Sequence, residues 1–233
     1  RYVQTSPADA LAARFGARLP EGLAWTPRWN VAPATRAPVV RDEPDGPALA
    51  LLSWGLVPSW AKDEAGLRPI NARAEGIAGK PMFREALKRR RALVPADGFY
   101  EWKAEGKAKT PWHFRLAGGD AFGFAGLWER REAPGEAPLE TFAILTTEAN
   151  ELVREVHARM PVILDAESET LWRREGALSA GELARCARPY DARAMEAWPV
   201  STWVNAPARE GPRCVERGGR GPEAPRDEAS GLA

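Results

Sequence analysis

Cysteine and histidine are scarce, with two of each in 233 residues. Cys186 and Cys214 stand far apart and lack metal-ligand spacing, which argues against a disulfide framework or a zinc site. No apolar run approaches the length of a bilayer span, and no signal-peptide pattern opens the chain. The expectation is a soluble, cytoplasmic protein with no membrane contact. Charge of one sign is missing too: 33 Lys and Arg meet 32 Asp and Glu, for a net charge of +1. Bulk charge therefore advertises no polyanion. No internal repeat is found. At 44% hydrophobic and 28% charged, the composition is that of an ordinary globular chain able to bury a sizeable core.

Tryptophan is abundant, at ten residues. Most belong in a core, but an exposed Trp beside Arg suits stacking against single-stranded nucleic acid. The run Lys88-Arg89-Arg90-Arg91 reads either as a solvated helix end, where cations suit the macrodipole, or as a contact for phosphates. The stretch Gly98-Phe99-Tyr100-Glu101-Trp102 carries the most chemistry. Its carboxylate is flanked by aromatics, surroundings that disfavour charge and raise a carboxyl toward the working pH. On an alternating strand the same Glu101 could instead face solvent.

Ser6-Pro7-Ala8-Asp9 reads as a helix start, and Leu11, Phe15 and Leu19 predict a helix over 7–18. Pro20 to Pro38 and Trp54 to Arg73 read as irregular. Strands are expected at 38–40 and 48–54 around an Asp45-Gly46 turn, and at 91–95, 99–102, 111–116, 122–129 and 141–147. Helices are expected at 81–90, 148–156, 167–174 and 179–187, with short strands at 161–164 and 198–201. The predicted class is α+β, a curled mixed or antiparallel sheet forming a barrel-like core flanked by short helices. One domain is expected over 1–206. The Gly-, Pro-, Arg- and Glu-rich segment 207–233 reads as a disordered tail.

Six short motifs stand in order along the chain. They are Asn30-Val31-Ala32-Pro33, Ser53-Trp54-Gly55-Leu56-Val57-Pro58-Ser59-Trp60 and Ile70-Asn71-Ala72-Arg73-Ala74-Glu75. Gly98-Phe99-Tyr100-Glu101-Trp102, His157-Ala158-Arg159-Met160-Pro161 and Pro199-Val200-Ser201 complete the set. In these motifs, their order and their spacing the chain resembles the SOS-response-associated peptidase (SRAP) family of abasic-site processing proteins. There is one departure. The family opens Met-Cys-Gly-Arg, with Cys made N-terminal by removal of Met. This sequence opens Arg1-Tyr2, so Arg1 resembles the Arg of that tetrapeptide, and the reactive Cys is expected just before it.

The resemblance implies a single-stranded-DNA protein, a monomer without cofactor or metal, acting at abasic sites, including those at single-strand/double-strand junctions. An N-terminal Cys would condense with the sugar aldehyde to a thiazolidine, a lyase-like crosslinking, after autoproteolytic loss of Met. Asn71 would hold the amine or the sugar, Glu101 would act as acid and base, and His157 would assist ring opening. Arg1, Arg73 and Arg159 would hold phosphates. Pro33 and Trp60 would shape the DNA path and stack bases, and Thr147 would add a hydrogen bond. A nucleoid location follows when the protein is on DNA. A thiol peptidase acting on other proteins and a non-covalent single-strand binder are the alternatives. Without the resemblance, His157 reads as a helix-end residue, His113 as structural, and Cys186 as a small buried hydrophobe.

Overall fold

A computed structural model describes residues 1–61, 66 and 68–218, and shows an α+β fold of two sheets with short helices at their rims. The elements run β1 (Tyr2–Gln4), α1 (Ala8–Arg14), β2 (Arg28–Val31), β3 (Arg36–Glu43), β4 (Gly46–Trp54) and β5 (Asn71–Arg73). Then come α2 (Pro81–Arg89), β6 (Arg91–Ala96), β7 (Gly98–Glu105), β8 (Ala108–Leu116), β9 (Phe122–Arg131) and β10 (Leu139–Glu148). The chain continues through α3 (Glu151–Arg154), β11 (Arg159–Pro161), β12 (Ile163–Leu164), α4 (Ala166–Arg173), α5 (Ala180–Cys186) and β13 (Met195–Pro199).

The larger sheet curls on itself. Strand β10 pairs with β4 and β9, β9 with β6, β6 with β3, and β3 with β4, so the pairings run in a ring. Strands β5 and β11 add to β10 beyond that ring. The smaller sheet has the order β13-β8-β7-β1-β2. The two sheets share one hydrophobic layer, in which Phe99 and Phe114 stack at 5.0 Å and meet Phe124, Phe142 and Trp54. The helices cover the other side of the curled sheet through Leu11, Phe83, Leu87 and Trp172.

Consecutive strands β6 and β7 lie in different sheets, with Asp97 alone between them. Its carboxylate explains how the chain changes sheets there. It accepts from the Thr5 and Ser6 amides at 2.5 and 2.9 Å and from both of their hydroxyls. These bonds pin the end of β1 to the crossover. They also take Ser6 away from helix capping, and α1 starts after Pro7 without a side-chain cap.

Several sequence expectations shift. The helix expected over 7–18 spans only Ala8–Arg14, because Gly16 turns the chain at φ 57° and Leu19 is left 39% exposed. The helix expected over 148–156 shortens to α3, since β10 stays paired out to Glu148, opposite Arg159. The irregular stretches contain β2 and β5. The basic run is not a free patch: Arg90 pairs with Glu129 at 2.9 Å, and Arg91 is buried, donating to the carbonyls of Leu87, Lys88, Trp172, Arg174 and Gly176. Residues 207–218, read as the start of a tail, are packed: Pro212–Cys214 form a 3-10 turn, Cys214 has no exposed surface, and Arg217 bridges to Val200. The rest of the expected tail, 219–233, lies outside the described residues.

Candidate functional site

The site is built on β7. Antiparallel pairing to β8 and β1 fixes its alternation, and each residue of Gly98–Trp102 has a distinct duty. A Cβ on Gly98 would stand 2.3 Å from His113 Nε2 and 2.8 Å from the Phe114 carbonyl, so only glycine fits. Phe99 enters the shared aromatic layer. The Tyr100 hydroxyl donates to the Trp29 carbonyl at 2.8 Å, and Trp102 Nε1 to Asn205 Oδ1 at 2.8 Å. Tyr100 and Trp102 thus tie the strand from behind, while Glu101 faces the other way.

His113 is structural, as its sequence context suggests. It is 3% exposed and packed between Tyr100 and Trp198, at ring-centroid distances of 5.4 and 4.8 Å. Burial, helped by the Arg115 charge, pushes its imidazole down to about 3.

His157 arrives from the loop after α3. Asn150 caps that helix by accepting from the Val153 amide at 2.9 Å, and the His157 amide closes it on the Val153 carbonyl at 2.9 Å. This places His157 Nδ1 3.9 Å from Glu101 Oε2. The same nitrogen has a partner in either protonation state: it accepts from the Arg159 amide at 3.2 Å, and a protonated ring faces the Arg159 carbonyl at 3.0 Å. Burial raises the Glu101 carboxyl above its ordinary value, opposed by the charge of His157. A desolvated carboxyl and an imidazole therefore share one corner, beside the start of β1.

The other candidates differ in what their side chains already hold. Asn71 starts β5, paired with Ile144 of β10, and is exposed; among the described residues its side chain makes no hydrogen bond. Arg73, two residues on, is exposed with its guanidinium free of hydrogen bonds among the described residues. Arg159 is committed: it bonds the Glu75 carboxylate at 2.9 and 3.3 Å and the Thr146 carbonyl at 2.7 Å. Desolvation alone would raise Glu75, but the Arg159 bond and the charges of Arg159 and Arg73 hold it below the usual carboxylate range. Arg1 is committed too, donating to the Val204 carbonyl and, at 2.8 Å, to that of Asn205, with Trp102 under its guanidinium at 5.5 Å. Thr147 is 6% exposed. Pro33 is exposed on a turn where Ala34 takes a φ of 66°, rare for a residue with a side chain. Trp60 stands 65% exposed, whereas Trp54 of the same motif is 4% exposed and donates to the Ile70 carbonyl at 2.8 Å.

Two contributors were not assigned from sequence. Glu75 lies inside a quoted motif, yet only its distance in space to Arg159 reveals its duty. Asn30 opens another motif and is fully buried, its amide nitrogen on the carbonyls of Val204, Ala206 and Arg209 at 3.0–3.1 Å.

Comparison with known proteins bears on the family and the fold. The family model described as SOS response associated peptidase (SRAP) matches residues 1–207. The chain is 43% identical over 220 residues to the abasic site processing protein YoqW of Bacillus subtilis, covering 93% of this chain and 98% of that one. It is 30% identical over 224 residues to the abasic site processing protein HMCES of Gallus gallus, covering 82% of this chain and 66% of that one. An X-ray structure of a protein from Bacteroides thetaiotaomicron superposes with a TM-score of 0.84 at 29% identity, covering 93% of this chain and 98% of the other.

Proposed function

The chain belongs to the SOS response associated peptidase (SRAP) family, and from that membership we propose that it processes abasic sites in DNA. The observation that carries this reading is the 3.9 Å approach of His157 to Glu101 beside the start of β1. An abasic sugar opens to an aldehyde at C1′. A primary amine in its free-base form can attack that carbon. The substrate is single-stranded DNA, and the product is a covalent link through a Cys two residues ahead of Arg1.

Two residues span up to about 7 Å, so a leading Cys-Gly stays within reach of the pair. The Cys amine adds to C1′ and water leaves, giving an imine. The thiol sulfur then adds to the same carbon, its proton passes to nitrogen, and the ring closes. Glu101 and His157 take the proton from the attacking amine and return one to the departing hydroxyl, a role worth about 10²–10⁴-fold. Asn71 holds the amine or the sugar. Glu101 also assists hydrolytic removal of a preceding Met.

Arg73 holds a phosphate, Trp60 stacks bases and Pro33 shapes the strand's path. Arg1, Arg159 and Thr147 contribute less to the DNA, their groups being committed or buried. The internal thiols offer no competing nucleophile: burial raises Cys186, and burial with Glu210 pushes Cys214 up to about 11.

The test is incubation of the protein carrying Cys-Gly ahead of Arg1 with a single-stranded oligonucleotide bearing one abasic site, followed by a denaturing gel. A shifted band is expected. Ser for that Cys should greatly reduce it, and Glu101→Gln or His157→Gln should slow its appearance by about 10²-fold or more. A stable adduct that instead requires Cys186 would overturn the assignment.

A further inference from the structure

Residues 201–217 run as a strap behind the smaller sheet, and the strap's second half lies past the stretch matched by the family model. Its contacts include the start of the chain, β2, β7 and β13. Asn30, on β2, sits under three strap carbonyls, those of Val204, Ala206 and Arg209. Glu210 accepts from Arg28 Nε and from the Trp29 amide, each at 2.7 Å. Trp198 Nε1 donates to the Val215 carbonyl at 2.8 Å, and Trp203 is covered by Arg209 and Arg213 at 3.7 and 4.5 Å. Val204 and Cys214 are fully buried under these contacts.

The strap reaches Glu101 by two short routes. Through Asn205 it holds Trp102, the residue after Glu101. Through the carbonyls of Val204 and Asn205 it holds the Arg1 guanidinium, and the Arg1 carbonyl in turn accepts from the Tyr100 amide at 3.0 Å, the residue before Glu101. The backbone on both sides of the carboxylate and the Arg1 residue that a leading Cys-Gly would precede are thus tied to one segment. We infer that the 201–217 strap is a positioning element for the site, with Asn30 as its anchor, and that the Asn30 side chain serves this lock and not the DNA. Without the lock, β1 and β7 can slide against each other, and a Cys amine carried ahead of Arg1 leaves the Glu101–His157 pair. A displacement of about 1 Å costs on the order of 10²-fold in rate.

This inference rests on the crosslinking function proposed above. The test uses the Cys-Gly-extended full chain and three variants: Asn30→Asp, the milder Glu210→Ala, and a chain ended at Pro207. Three quantities are read: amide exchange at Tyr100 against Ala125 as a core control, the Kd for single-stranded DNA without an abasic site, and the single-turnover adduct rate at saturating DNA. The expected pattern is Tyr100 exchange about tenfold faster or more, Ala125 unchanged, Kd within about twofold, and an adduct rate lower by about 10–100-fold. Glu210→Ala should give the same pattern to a smaller degree, and it keeps the test open if Asn30→Asp does not fold. An adduct rate within twofold of the parent in a folded variant, or unchanged Tyr100 exchange, overturns the inference alone. A parent that forms no adduct overturns the functional reading and the inference with it.

Discussion

Gly98→Ala tests whether β7 is seated as tightly as its contacts imply. The new methyl carbon would lie 2.3 Å from His113 Nε2 and 2.8 Å from the Phe114 carbonyl, well inside van der Waals contact. Neither neighbour can yield cheaply. His113 is held between Tyr100 and Trp198, and Phe114 sits opposite Phe99 in the β7–β8 ladder. Overpacking of this kind costs about 1–3 kcal/mol. For a domain of this size that is a fall in Tm of about 2–12 °C. The assay is thermal unfolding followed by circular dichroism, run as a double-mutant cycle with His113→Ala. If the imidazole is the clash partner, Gly98→Ala should cost about 0.5–3 kcal/mol less in the His113→Ala background. A single-mutant cost below about 0.5 kcal/mol, or strict additivity, would refute the close approach. Because Glu101 lies three residues along the same strand, the variant should also slow adduct formation.

Three further outcomes follow from the same geometry. Glu101 has a carboxyl raised by burial, so the folded state binds more protons than the unfolded one above pH 4.5, and stability falls as pH rises through that window; Glu101→Gln should therefore raise the denaturant midpoint at pH 8, with the gain gone at pH 4. His113 runs the other way: its folded value of about 3 lies below the unfolded 6.5, so its contribution is complete above 6.5 and is lost as pH falls toward 3. At about 1.4 kcal/mol per pH unit, the parent should lose about 3 kcal/mol more than His113→Gln between pH 7 and 4.5, and parallel denaturation curves would sink the argument. Arg73→Ala should weaken single-strand binding and flatten the log–log salt slope by about 0.7, whereas an unchanged slope would remove Arg73 from the phosphate contacts.

What could be read from sequence divides along physical lines. Strands such as β6, β7 and β9 were legible because apolar and aromatic residues recur within a few positions and turn residues bound them. Strands β1 and β5 were not, since three residues carry no period and each exists only because a partner, β7 or β10, offers its backbone. The same limit applies to the site. Glu101 could be singled out from its aromatic neighbours, whereas its approach to His157 depends on a four-residue helix capped by Asn150 and could come only from the family resemblance. Composition misled at the C-terminal side. Residues 207–218 are rich in Gly, Pro and Arg, as a tail would be, yet their arginines cap Trp203 and Trp198 and the Arg209 carbonyl accepts from Asn30. A local window cannot register partners that lie nearly two hundred residues away.

The arginines make the same point in chemical terms. Arg1, Arg73 and Arg159 carry the same forked cation, and the sequence offers no reason to rank them. The structure ranks them by what each fork already holds. Arg1 binds two backbone carbonyls, Arg159 binds a carboxylate and a carbonyl, and Arg73 is exposed with no hydrogen bond from its guanidinium among the described residues. To bind phosphate, Arg159 must give up Glu75, and Arg1 must release the turn that secures Trp102. Each exchange returns part of what the phosphate would contribute, and in the case of Arg1 it would loosen the strand under Glu101. Among the described residues Arg73 would meet a phosphate at no such cost. A net charge of +1 is therefore no obstacle to a local phosphate contact, because what each guanidinium already holds, and not the sum over the chain, decides whether it is available.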